Sequence, residues 1–386
     1  MGTAFTISGI RPVLLSHVYP PGEELEWVAG AIRSWDAALV EVTLSDGSTG
    51  IGEVGAGIMA ASAVPGIVEA LRRYAIDQTF AHPLEVGDRL RSYTAFWSRG
   101  GISSGVVGAI ETAALDAVAQ RESAPAFELL GGLKRYRIEA YASGGLGSSF
   151  EHVAQWADAQ VTSGFRTVKF RAMKDPDTTI SLLEHVVPRL PSRVRFVIDA
   201  VQASASHPWS VDDAIRVGLV AEKLDALWFE EPCFATDLAG YAKVSDALRI
   251  TVSGIESNST LEEFIRLFEL KGVGLAQPDV SIVGGPMNFQ RVANLARDYN
   301  VGCVPHVWGS AVTFSANLHA ALAHGHVNLF EYCTLPNPLR EELLVEPIQL
   351  IDGCIKAPTG PGLGVRVDPD IERKFAFSAG AGHVIR

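Results

Sequence analysis

The sequence predicts an α/β fold in which a short α+β region precedes a βα-alternating region that closes as a barrel. Three observations carry this expectation. Roughly the first 130 residues put strands before helices, the order of an α+β unit. From about Arg137 onward, short apolar segments alternate with helical patterns, the rhythm of a parallel sheet. A polar or titratable residue then closes each apolar segment at near-constant spacing.

Taken in order, Trp35–Leu44 reads as a strand, Asp46-Gly47 as a hairpin turn, and Gly50-Ile51-Gly52-Glu53 as the returning strand. Gly105–Arg121 carries Val107, Ile110, Ala114, Leu115 and Val118 at helical spacing. The Gly- and Ala-rich run Gly55–Ala61 is expected to be a mobile loop. Eight further strands are expected at Ile138–Ala142, Thr167–Phe170, Arg195–Ile198, Ala226–Phe229, Ile250–Ser253, Leu275–Gln277, Gly302–Val304 and Asn328–Phe330. Alternation alone allows a doubly wound sheet or a closed barrel. The turn-rich stretch after Pro336 is expected to return to the first domain. The chain thus divides into 1–133, 134–340 and 341–386.

The strand ends favour the barrel. The first strand ends at Ser143, and the second carries Lys169 and Arg171. The rest end at Asp199, Glu230, Glu256, Asp279, His306 and Glu331. From Lys169 the steps are 30, 31, 26, 23, 27 and 25 residues, close to one βα unit of a barrel that spends about 250 residues on eight of them. Side chains at such ends converge on one mouth. Any one of them alone reads equally as a helix cap, but seven titratable groups in register do not.

Asp199, Glu230 and Glu256 occupy consecutive strands, where three carboxylates repel one another unless a cation sits among them. An all-oxygen set suits Mg²⁺, with Mn²⁺ as the alternative. The chain has 32 Lys+Arg against 44 Asp+Glu, a net charge of −12. That balance argues against nucleic acid as a partner and makes a cation the natural anchor for a small anionic substrate.

The four cysteines form no CxxC pair, so reduced thiols and a cytoplasmic location are expected. The N-terminus lacks the pattern of a signal peptide. No run of eighteen apolar residues appears, so no membrane span is expected. His324-Gly325-His326 lacks a third ligand, and Cys233 lacks a paired base.

Together, Val168-Lys169-Phe170-Arg171, Ile198-Asp199-Ala200, Trp228-Phe229-Glu230-Glu231-Pro232, Ser253-Gly254-Ile255-Glu256, Gln277-Pro278-Asp279, Pro305-His306-Val307-Trp308-Gly309, Phe330-Glu331-Tyr332 and Gly360-Pro361-Gly362-Leu363-Gly364 form an ordered set along the chain. That set resembles the enolase superfamily, and within it the mandelate racemase subgroup. The resemblance implies a modified (β/α)₇β TIM-like barrel capped by an α+β domain built from both chain ends, and a homo-oligomer. It implies Mg²⁺ on Asp199, Glu230 and Glu256, a His306–Asp279 dyad, and Glu331 as an acid toward the enolate oxygen. Ser143, Trp308 and Met59 are the expected substrate contacts, and Glu231 is expected to bond Lys169 or Arg171.

Three positions depart from the family pattern: Arg171 replaces a lysine, Val201 an asparagine and Ile255 a glycine. Arg171 cannot serve as a base, and the position of Lys169 implies tuning of a neighbour or a hold on the carboxylate. His306 is left as the base that takes a proton α to a carboxylate. One base and a β-hydroxyl give loss of water from a sugar acid. Epimerisation or lactone cycloisomerisation on the same intermediate is the alternative, and a metal-binding barrel without catalysis is a further one.

Overall fold

The computed structural model describes residues 4–27, 30–147, 149–380 and 382–385. The cap begins with β1 (Phe5–Val18), a long strand that sequence patterning did not reveal. It pairs antiparallel with β2 (Ser34–Leu44), and β2 pairs with β3 (Thr49–Val54). The Asp46-Gly47 turn lies between β2 and β3, as its residues require, with Gly47 at φ 89°. Helices α1 (Val64–Arg72), α2 (Leu84–Thr94) and α3 (Ile102–Arg121) follow. The stretch expected to be a mobile loop is instead a helical turn at Gly57–Ala60. Gly57 packs so closely on Ala38 of β2 that a side chain there would clash.

Helix α3 is buried on every face, because it is wedged between the cap sheet and the barrel. By length and composition it matches a membrane span, yet 94% of its apolar 18-residue window is buried inside the protein. Gly50 and Gly52 let β3 approach it, since a Cβ at either would strike the backbone of Ala117 or Ala109.

The second region runs β4 (Arg137–Ser143), α4 (Phe150–Thr162), β5 (Thr167–Arg171), α5 (Pro176–Val186), β6 (Arg195–Asp199), α6 (Val211–Lys223), β7 (Trp228–Glu230), α7 (Leu238–Ala247), β8 (Thr251–Gly254), α8 (Leu261–Glu269), β9 (Leu275–Ala276), α9 (Pro286–Asp298), β10 (Gly302–Cys303), α10 (Ala311–Leu322) and β11 (Leu329–Cys333). Each strand from β4 to β10 pairs in parallel with the next. Strand β11 pairs in parallel with β4, and a Cys303–Val327 bridge joins the remaining edge. The sheet is closed, so the doubly wound alternative is excluded. Seven helices link the eight strands, as the (β/α)₇β expectation requires.

The tail departs from expectation in part. Strands β12 (Leu350–Ile351) and β13 (Cys354–Lys356) form a hairpin laid antiparallel on β4, so this segment extends the barrel sheet. The chain already meets the cap at Pro336, whose carbonyl accepts from the Tyr19 hydroxyl (2.6 Å), and returns to it after the hairpin, where Ala376 bridges Leu15 and His383–Ile385 pairs with Gly30–Ile32.

Candidate active site

Barrel register sets the mouth. Arg171 lies level with Asp199, and Asp199 with Glu230, on neighbouring strands. These side chains are not spent on capping. Six of the seven helices that follow are capped by Ser149, Asp175, Ser210, Asp237, Thr260 and Ser310 instead, and α9 starts at Gly285 without a side-chain cap. The strand-end groups are therefore free to face the barrel axis.

Asp199, Glu230 and Glu256 each offer a carboxylate oxygen, and these oxygens lie within 4.8 Å of one another. Glu256 Oε2 is buried without a hydrogen-bond partner among the described residues. Burial and the charge of Asp199 push the Glu230 carboxyl up to about 7, although Lys169 opposes the rise. Three converging carboxylates with an orphaned oxygen fit a hard divalent cation of the Mg²⁺ type.

Lys169 is wholly buried. Its Nζ contacts Glu230, Glu331 (2.8 Å) and Asp199 (3.5 Å), and it lies over the ring of Tyr141 at 5.7 Å. Burial favours the neutral amine, but Glu230 and Glu331 outweigh it and raise the Lys169 pKa well above the ordinary value. Arg171 ion-pairs with Asp199, and its guanidinium lies 4.9 Å from the centre of the Trp308 ring. Trp308 in turn stacks on Trp35 of the cap, with centroids 5.7 Å apart.

His306 Nδ1 is 2.9 Å from Asp279 Oδ2. Asp279 Oδ1 accepts from Ser281 N (2.8 Å), Ser281 Oγ (2.7 Å) and Asn317 Nδ2 (2.9 Å). Asp279 is thus fixed as an acceptor and holds the proton on His306 Nδ1, which turns Nε2 toward the mouth, 3.6 Å from Glu256. Burial opposes charge on the ring, but Glu256 and the Asp279 hydrogen bond carry the His306 pKa up to about 9.

Glu331 accepts from Val307 N (2.7 Å) and Trp308 Nε1 (3.3 Å) besides Lys169. Its burial favours the neutral acid, yet Lys169 and His306 drive its pKa well below the carboxylate range. In this geometry both of its oxygens accept hydrogen bonds. Ser143, expected at the substrate, lies behind Trp308 with its Oγ 3.4 Å from the indole nitrogen and does not line the cavity. Glu231 bonds neither Lys169 nor Arg171. Its φ of 47° turns it out of the strand, and its Oε1 is buried without a partner.

A cavity of about 420 Å³ opens above Arg171, Glu256, His306 and Trp308, and the cap closes it with Met59 among the lining residues. The other sequence candidates have structural roles. His324 and His326 bond Asn294 and the Val301 carbonyl, and burial pushes the Cys233 thiol up to about 12.

Sequence reading missed Asn317 and Glu53. Asn317 sits inside an apolar helix and gives no local signal. Glu53 was visible only as the end of a strand, yet its buried carboxylate accepts from Ser310 N (3.1 Å), Ser310 Oγ (2.6 Å) and Thr313 N (2.9 Å). That places it on the N-terminus of α10, directly after the His306–Gly309 segment.

Residues 151–371 match the Enolase C-terminal domain-like family. The chain is 28% identical over 352 residues to D-galactarolactone cycloisomerase of Agrobacterium fabrum, covering 87% of this chain and 90% of that protein. It is 26% identical over 340 residues to arabinonate dehydratase of Saccharolobus solfataricus, covering 87% and 89%. A crystal structure of a racemase from Streptomyces coelicolor with bound magnesium superposes with a TM-score of 0.84 at 25% identity, covering 96% of this chain and 100% of that one.

Proposed function

The chain belongs to the enolase superfamily, and on that footing we propose that it is an Mg²⁺-dependent hydro-lyase that removes water from an acid of the sugar-acid class. The observation that carries this reading is one cavity lined by Arg171, by Glu256 of the Asp199–Glu230–Glu256 cluster and by His306, which Asp279 holds from behind. Similarity to arabinonate dehydratase supports the reaction class. Bound among the three carboxylates, Mg²⁺ would supply Lewis-acid stabilisation of charge developing on the substrate carboxylate.

The protein's own groups supply the rest. His306 Nε2 faces the cavity and takes the proton α to the substrate carboxylate, while Asp279 holds the ring in the matching tautomer. Arg171 keeps a fixed positive charge beside the mouth and offers donors to the developing enediolate oxygen. The protonated ring then returns its proton to the departing β-hydroxyl, which leaves as water, and the enol product tautomerises to a 2-keto acid. Among the described residues a second base at the mouth is wanting: Arg171 does not deprotonate, and Lys169 is wholly buried and does not line the cavity. This disfavours racemisation.

Cycloisomerisation is the second reading. It is favoured by the similarity to D-galactarolactone cycloisomerase, and it too needs only one proton-accepting residue at the outset. The test is product analysis: a panel of mono- and diacid sugars and sugar lactones, incubated with enzyme and Mg²⁺. A 2-keto acid from an open-chain acid supports dehydration. A rearranged lactone with no free-acid turnover supports the second reading.

A further inference from the structure

The cavity over the catalytic groups is polar at its floor and, four serines apart, apolar elsewhere. Arg171, Glu256 and His306 are its charged residues among those described. Around and above them stand Ile32, Ile58, Met59, Ile102, Leu146 and Ile282, contributed by both the cap and the barrel loops. Val201, two residues beyond Asp199, adds a further apolar wall.

Four serines also reach the lining, but two are already engaged. Ser281 Oγ donates to Asp279 (2.7 Å), and Ser259 Oγ accepts from Gly101 N (2.7 Å). Ser204 and Ser257 are exposed and stand at the rim. Beyond the catalytic floor, the described lining offers no amide, carboxylate or ammonium side chain to a ligand.

A polyhydroxy tail is badly matched to such a wall. Each hydroxyl that enters gives up water and needs a partner, and a buried hydroxyl without one costs more than its hydrocarbon counterpart. A methylene or methyl group against the same wall gains affinity, about tenfold or more for each well-placed group. The site therefore discriminates by the oxygenation of the carbons beyond Cβ.

We infer that the acid taken here is polar at one end only: a carboxylate, an α-carbon bearing both a hydrogen and a hydroxyl, and a β-hydroxyl at the floor, then a deoxygenated, aliphatic tail against Ile32, Ile58, Met59 and Leu146. This rests on the proposed dehydration and narrows its substrate to deoxy acids of the sugar-acid class. The reacting end is unchanged; the cap selects the tail.

The test pairs acids that share C1–C3 and differ beyond. Stereoisomers of 2,3-dihydroxyhexanoate are compared with the hexonates of matching C2 and C3 configuration, using the Mg²⁺-loaded enzyme. Binding is measured by calorimetry, and 2-keto acid formation is followed separately. The expected result is binding of a dihydroxyhexanoate at least about tenfold tighter than its matched hexonate. Met59→Gln, at a half-exposed site where folding tolerates the change, should narrow that ratio severalfold. Tighter binding of the hexonate, or failure of every dihydroxyhexanoate to bind at millimolar concentration, overturns the inference even if hexonates are dehydrated. Preferential binding of the aliphatic acid without any keto acid leaves the inference standing and removes the dehydration reading instead.

Discussion

Replacing Glu53 by alanine should both loosen the cap and weaken the reaction, although residue 53 touches none of the catalytic side chains. Its carboxylate is buried, and it accepts from Ser310 N, Ser310 Oγ and Thr313 N at the start of α10. Hydrogen bonds to a charged group contribute about 1.5–3 kcal/mol each, and an anion at a helix N-terminus adds roughly 0.3–2 kcal/mol. Against them stands the cost of burying the carboxylate, seen in its raised pKa. Removing it leaves two backbone N–H groups and a hydroxyl buried together, so a net loss of about 3–5 kcal/mol is expected. Gly309 sits against Glu53 and precedes Ser310, so the freed segment carries Trp308 and its stack on Trp35 with it. Thermal unfolding at fixed protein and Mg²⁺ concentration should fall by several degrees. Turnover should fall by more than binding, because the stack positions Arg171. The conservative Glu53→Gln variant, which keeps an acceptor, should recover part of both. An unchanged unfolding midpoint in Glu53→Ala, or lost stability with unaltered turnover, would refute the linkage between cap docking and the mouth.

Asp199→Asn, Glu230→Gln and Glu256→Gln should each lower Mn²⁺ affinity, read by electron paramagnetic resonance, by tenfold or more; a variant that binds as tightly as wild type is not a ligand change. Arg171→Lys gives up the planar fork and the cation–π contact with Trp308, so turnover should drop by about tenfold, equivalent to about 1.4 kcal/mol; unchanged dehydration with no epimer formed leaves Arg171 a purely structural ion pair. Buried His319 accepts from Phe127 N (3.1 Å), and burial lowers its pKa from 6.5 to about 4. Its neutral form stabilises the fold above pH 6.5, and that contribution, on the order of 3 kcal/mol, is lost as pH falls through 4. Asp116 has the opposite sign: burial raises it from 3.8 to about 6, so its ionisation costs stability as pH rises through that window. The stability advantage of wild type over His319→Gln should therefore shrink between pH 7 and 4.5, and a difference independent of pH would rule out His319 titration.

The barrel was legible because its two signals are local. Each strand is a short apolar run, and each run ends in the residue the mouth needs. The observed strands begin within two residues of expectation, and Lys169, Arg171, Asp199, Glu230, Glu256, Asp279 and His306 converge as their spacing implied. What stayed hidden depends on contacts distant in sequence. Strand β1 alternates only loosely, since its pairing with β2 rather than its own composition defines it. The Gly55–Ala61 run looks like a loop until Ala38 supplies the surface on which Gly57 packs. The sequence pointed to Glu231 as a partner of Lys169 or Arg171, with Asp199 reserved for the metal. Register decides otherwise, bringing Arg171 level with Asp199 while the positive φ of Glu231 turns that side chain away. Likewise Ser143 ends its strand as expected but is covered by Trp308, a layer that strand spacing does not encode.

The central claim is that His306 removes a proton α to a carboxylate and that water then leaves. Its most direct test is proton NMR of wild type and His306→Asn with Mg²⁺ and an acid substrate in deuterated water. The account predicts 2-keto acid from wild type, and neither keto acid nor exchange of the α-hydrogen from His306→Asn. Exchange in that variant at the wild-type rate would contradict the assignment of His306 as the base, and formation of an epimer by wild type would contradict the claim that the site works with a single one.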